Sequence, residues 1–204
     1  MDWDFYRRLL DVAWGRKWLR IADDGRDLEI MSISGFHENI GDFAWRLIEI
    51  IPEELEIPSA SLGKATWMRP ELERGIEADQ CFFFLAEKLR AVAAAIARKS
   101  ENNADYPNPD LAIEVDRSPP KIDRPGIYAA LRVTEIWRFT LSGVTIERLT
   151  DQGTYAAVDQ SGFLPIRQDE VDRWVLREDL SDITAWKRRL RTWVRAELAG
   201  RRGH

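Results

Sequence analysis

Apolar residues recur three or four positions apart through Trp3–Ala13, the spacing of one helix face, and the pattern stops at Gly15. The period then shortens to two. Leu19 and Ile21, and further on Leu28 and Ile30, alternate with polar residues on either side of Asp23-Asp24-Gly25, which predicts a hairpin around an Asp-Gly turn. Ser34-Gly35 opens a second helical pattern. It carries Ile40, Phe43, Ala44, Leu47, Ile48 and Ile51 on one face and has Pro52 as its stop. Two strand-like stretches, 60–68 and 75–84, are joined by a polar turn containing Pro70. Residues 87–97 are strong helix formers and end before Asn102-Asn103. The rigid Tyr106-Pro107-Asn108-Pro109 leads into a strand over 110–115, and 123–131 reads as a helix with Pro125 in its first turn. Strands over 135–140, 144–149 and 155–158 follow, then helices over 168–175 and 183–198. Strands and helices mixed in this order predict an α/β fold, a central mixed sheet flanked by helices.

Composition narrows the chemistry more than it narrows the fold. The 204 residues suit one domain, drawn here as 1–180, with 181–204 as a basic C-terminal helix and tail. No stretch approaches the roughly 20 apolar residues of a membrane-spanning helix. The start, Met1-Asp2-Trp3-Asp4, lacks the basic and apolar regions of a secretory signal, so a cytoplasmic protein is expected. One cysteine, Cys81, and two histidines, His37 and His204, leave no disulfide and no Cys/His zinc cage. Any metal must be held by carboxylates.

The net charge of −5 is unevenly spread: seven basic and two acidic residues lie from Ser181 onward, so the rest of the chain balances at −10. An acidic body with a basic end argues against long-range attraction to nucleic acid but allows local contact with phosphate. The run Lys187-Arg188-Arg189, with Arg191 and Arg195, shares its helix with Trp186, Leu190, Trp193 and Val194. That combination usually means a solvated face over an apolar stripe. Trp45 and Trp137 read as core residues. The Trp-rich termini leave a homodimer open.

The most informative segment is Pro109-Asp110-Leu111-Ala112-Ile113-Glu114-Val115-Asp116. Alternation along a strand places Asp110, Ala112, Glu114 and Asp116 on one face and Leu111, Ile113 and Val115 on the other. Stacked carboxylates repel one another unless a cation lies between them; the plainer reading is one buried ion pair at Glu114, with the aspartates marking the strand's ends. Asp79 stands before the apolar run Cys81-Phe82-Phe83-Phe84, and Glu38 lies in the first turn of a helix beside His37. As ordinary structure, these are a strand-end Asp and a Glu favoured by the helix macrodipole. Together with Glu114 they also suit a hard cation, which takes oxygen ligands from a few carboxylates and from substrate phosphate.

Several segments in this order resemble the Uma2 family (DUF820). They are Leu28-Glu29-Ile30-Met31-Ser32 with His37-Glu38, residues 75–82, residues 109–116, Asp123-Arg124, Ile127-Tyr128-Ala129-Ala130 and Glu135-Ile136-Trp137-Arg138. The resemblance covers about 24–175 and implies a restriction-endonuclease-like fold with a divergent PD-(D/E)XK site. By that resemblance Asp79 is the PD aspartate, with Ala78 in place of proline, Glu114 is the (D/E)XK acid and Glu38 is the auxiliary acid. These three would bind Mg²⁺ (or Mn²⁺). Asp110 follows a proline but shares a strand with Glu114, and this fold draws its acids from two strands, so Asp79 is preferred. The lysine is absent, since Asp116 stands two residues after Glu114; the displaced basic residue is Arg124, four before Tyr128. The implied activity is Mg²⁺-dependent hydrolysis of DNA phosphodiester bonds by a metal-activated water. Arginine grips phosphate but does not give up a proton at working pH. Arg124 therefore suits charge stabilisation, and a catalytically weak binding or interaction module is the alternative.

Overall fold

A computed structural model of the chain describes residues 3–13, 19–32, 35–69, 74–116 and 119–201. Gly15, Ser34, Pro70 and His204, which figured in the sequence reading, lie outside them, as does the side chain of His37. The strands are β1 (Leu19–Asp23), β2 (Leu28–Ser32), β3 (Ala60–Arg69), β4 (Arg74–Phe83), β5 (Leu111–Val115), β6 (Glu135–Phe139), β7 (Val144–Leu149) and β8 (Tyr155–Val158). The helices are α1 (Trp3–Ala13), α2 (Gly35–Leu55), α3 (Ala86–Ala97), α4 (Arg124–Ala130), α5 (Gln168–Asp172) and α6 (Ile183–Trp193). The last two continue as π-helical turns over Arg173–Arg177 and Val194–Leu198. No helix among the described residues is long and apolar enough to cross a membrane.

The strands form one mixed sheet in the order β2-β1-β4-β5-β6-β7-β8, with β3 paired to β4. Only the β5–β6 pairing is parallel among these. The β1–β2 turn follows from its residues: the Asp23 and Asp24 carboxylates accept from the N–H groups of Gly25, Arg26 and Asp27, and Gly25 takes a φ of 87°. β5 is buried along its whole length, as a central strand covered on both faces must be. On one face Leu111, Ile113 and Val115 meet Phe43, Leu47 and Ile48 of α2 and Trp186, Leu190 and Val194 of the C-terminal helix. Trp186 packs edge-on against Phe43 at 5.0 Å, and its Nε1 donates to the Trp174 carbonyl. On the other face Ala112 packs with Val92 of α3 and with Ile127 and Tyr128 of α4.

One expected boundary is corrected. Helix α2 does not stop at Pro52 but runs on to Leu55. The missing N–H and the ring clash of a mid-helix proline argue for a stop. Here Leu55 is buried in the core, Glu54 is held by Arg191 at 2.5 Å and by Arg195, and the Ile57 N–H closes the end on the Pro52 carbonyl. Tertiary contacts on the last turn offset the local cost. The same contacts tie Arg191 and Arg195 to Glu54, while Trp186, Leu190 and Val194 pack this C-terminal segment into the core.

What positions the site is a fork in the sheet. One edge of β4 carries β3 along its length; the other meets β1 at the Asp23↔Gly75 rung and β5 at Gln80↔Ile113 through Phe82↔Leu111. Between those rungs lie Glu77 and Asp79. Close packing at the β1 end is tight: a Cβ on Gly75 would collide with the ring of Tyr6 from α1, which is fully buried. We expect Gly75→Ala to cost about 1–3 kcal/mol through overpacking, measured by urea denaturation.

Candidate functional site

Each acid at the fork reaches it through a distinct local device. Asp79 sits one residue before the first β4–β5 rung, Gln80↔Ile113, where β4 bulges against β3 between the Gly63↔Cys81 and Ala65↔Ala78 pairs. Its Oδ2 accepts from the Val115 N–H at 2.9 Å, and its Oδ1 lies 3.4 Å from Arg20 Nε. Glu114 comes from the neighbouring strand β5 and is 4% exposed. Its two oxygens are taken by different partners: the Tyr128 hydroxyl donates to Oε1, and Arg124 Nη1 donates to Oε2 at 3.0 Å. Arg124 is the first residue of α4, whose start is fixed by Asp123 accepting from the Gly126 N–H and by Pro125 in the first turn.

Arg124 is the hub. Beyond Glu114 it donates to Asp116 at 2.7 Å and to Glu29 of β2 at 2.9 Å, and it touches the Met31 sulfur. Burial works against its charge, but the facing carboxylates outweigh that and hold it protonated. On the other side of the fork, Arg20 of β1 donates to Glu77 at 3.1 Å as well as facing Asp79. Sequence reasoning missed Arg20, Glu29 and Glu77 as members. Their one visible signal was a charged residue inside a short strand pattern, Leu19-Arg20-Ile21 and Leu28-Glu29-Ile30.

The five acids outnumber the three arginines that face them, Arg20, Arg124 and, at 3.9 Å from Asp116, Arg138, and the electrostatics show it. Burial is the largest influence on Glu114; Arg124 opposes it, Asp79 and Asp116 add to it, and the carboxyl is pushed up to about 8. Asp116 and Glu77 are raised too, each chiefly by burial and each partly relieved by an arginine. An acid raised in the fold binds a proton there that the unfolded chain has released. Stability without divalent ions should therefore fall as pH rises from the ordinary glutamate value of 4.5 toward about 8 and level off above it. Urea unfolding across that range checks the sign. A flat or rising profile would show that Glu114 is not held protonated.

The remaining sequence candidates lie elsewhere. Glu38 is in the first turn of α2 with its side chain 48% exposed, and it bonds Lys64 of β3 at 2.5 Å. Asp79, Glu114 and Arg124 lie close enough to act on one another's charge, whereas Glu38 pairs with Lys64, which stands on β3 opposite Asp79. Among the described residues no three His, Cys, Asp or Glu groups are gathered closely enough to hold a metal ion. Asp110 is fully buried and structural: its Oδ2 accepts from the Phe84 and Leu85 N–H groups before α3, and Lys88 pairs with its Oδ1 at 2.7 Å. Cys81 is a core thiol pushed up to about 12 by burial, with Trp67 donating to its sulfur, and so is a poor nucleophile.

As a cation site the fork fits in its chemistry. Two buried carboxylates from adjacent strands, close enough for one to raise the other, are relieved by a positive charge between them, and Mg²⁺ needs few protein ligands beyond these.

The chain is thus a mixed sheet flanked by helices, with buried acids gathered where β4 passes between β1 and β5. The family model of Uma2, described as "Putative restriction endonuclease", matches residues 3–184, and the chain belongs to that family. Among solved structures, a putative nuclease of DUF820 from Anabaena variabilis matches with 12% identity and a TM-score of 0.40, over 82% of this chain and 90% of that one. No curated protein matches the chain.

Proposed function

We propose that this chain is a Mg²⁺- or Mn²⁺-dependent endonuclease that hydrolyses phosphodiester bonds in DNA at the β4–β5 fork. One observation carries the reading: Asp79 and Glu114, buried on adjacent strands, leave a site with more negative charge than its arginines neutralise. These two carboxylates would hold the ion, which when bound supplies Lewis acidity toward the scissile phosphate and an activated water. The chain's own groups set the stage. The Val115 N–H and Arg20 fix the direction of the Asp79 carboxylate. Tyr128 and Arg124 each grip one oxygen of Glu114, so its orientation is set before any ligand arrives. Burial excludes bulk water and strengthens each of these interactions.

A second reading is favoured by one feature. Arg124 already gives Glu114, Asp116 and Glu29 a cation, as a purely structural network would have it. On that reading the chain keeps the fold and binds nucleic acid or a partner without efficient cleavage. Plasmid DNA incubated with the purified protein separates the two: cleavage that needs Mg²⁺ or Mn²⁺ and stops with EDTA supports the nuclease. A protein that shifts DNA in a gel and never cuts it supports the second.

A further inference from the structure

Phosphoryl transfer needs a positive group that can touch the phosphate, and Arg124 is placed to touch carboxylates instead. It is 3% exposed, and its guanidinium is spread over Glu29, Glu114 and Asp116. Arg20 is as deeply buried, between Glu77 and Asp79. Neither can turn toward a substrate without stranding buried acids.

Among the described residues, Lys64 is an accessible cation beside the fork on the Asp79 side. It sits opposite a bulge of β4, so the two β4 residues across from it are Asp79 and Gln80. The bulge sets Asp79 and Gln80 together opposite the single Lys64. The Lys64 side chain is 37% exposed, and its positive charge is felt at Glu77, the acid that shares Arg20 with Asp79. Its partner is Glu38 at 2.5 Å, half-exposed like itself. A carboxylate beside an exposed lysine holds the ammonium in place and yields it readily, because such a pair is worth little in water.

We propose that Lys64 is the phosphate-contacting cation of this site and that Glu38 is its positioning residue, not a metal ligand. The assignment rests on the nuclease reading above and names the group that meets the DNA backbone. Lys64 neutralises a non-bridging oxygen of the phosphate; Glu38 releases it as the phosphate arrives.

Binding of a short fluorescein-labelled DNA duplex, followed by anisotropy with Ca²⁺ in place of Mg²⁺ over a series of salt concentrations, tests it. Lys64→Ala should weaken binding several-fold and reduce the salt slope by about one. Lys64→Arg should restore the slope, and Lys99→Ala, an exposed lysine at the end of α3, should leave it unchanged. Calorimetric titration with Mn²⁺ supplies the second readout, in which Glu38→Gln should match the parent protein. An unchanged slope in Lys64→Ala, with the parent binding DNA, overturns the assignment and spares the nuclease reading. Loss of Mn²⁺ affinity in Glu38→Gln overturns the positioning role, because it makes Glu38 a ligand. A parent protein that binds no DNA overturns the nuclease reading and the assignment with it.

Discussion

Glu114→Gln abolishes Mg²⁺-dependent cleavage while leaving the fold intact. Glutamine has the shape of glutamate and keeps an oxygen for Tyr128 or Arg124. It loses the negative charge that a cation needs, and removing such charge stabilisation costs on the order of 10²–10³ in turnover. Asp79→Asn should behave alike, since the Val115 N–H still finds an acceptor there. The companion measurement is stability. Glu114 ionises only at a cost, with its carboxyl pushed up to about 8, so the glutamine variant should be no less stable than the parent at alkaline pH and should flatten the pH profile described above. A variant that cuts DNA at the parental rate removes Glu114 from the chemistry. Cleavage that persists in both variants points to a contaminating nuclease.

The second large effect is on stability. Arg124→Met leaves Glu29, Glu114 and Asp116 facing one another in a buried site without their shared cation. Removing one partner of a buried ionic group costs about 3–5 kcal/mol, far more than the group contributes over an apolar replacement. The loss should be largest near neutral pH and shrink toward acid, where the stranded carboxyls take up protons. Arg124→Lys should recover only part, because a compact ammonium on a flexible stem cannot fork between three acids as a guanidinium does. Urea titrations at two pH values decide it. A loss below about 1 kcal/mol for the methionine variant would mean that the acids find other partners.

Most of the fold could be read from the chain because periodicity reports local burial, and nearly every element here has one apolar face or two. The hairpin at Asp23-Asp24-Gly25, the buried strand 111–115 and the Asp123-capped helix all have their causes within a few residues of themselves. Pro52 misled because the contacts that carry α2 past it come from Arg191 and Arg195, well over a hundred residues away. The site divides along the same line. Glu114 stands out by its strand face and Asp79 as an acid before an apolar run, while Arg124 is reached only through the resemblance to Uma2. Arg20, Glu29 and Glu77 join them only through the order β2-β1-β4-β5, which no local pattern encodes. Glu38 was recognisable as an acid at a helix start; its bond to Lys64 joins α2 to β3 across 26 residues of chain.

The fork bears on how the molecule comes apart. Strands β1 and β2 hold each other through five rungs but meet the rest of the sheet through one, Asp23↔Gly75. Beside the apolar packing of Ala22 in the core, polar contacts fasten them: Arg20 to Glu77 and Asp79, Glu29 to Arg124 and to the Lys121 N–H, and Asp24 to the Asp123 N–H. The ion-pair network is thus also the clasp of the N-terminal hairpin. Such a hairpin should detach as a unit ahead of global unfolding, with amide exchange in 19–32 faster than in 111–115. Undoing the clasp and baring the acids of the fork are then a single motion.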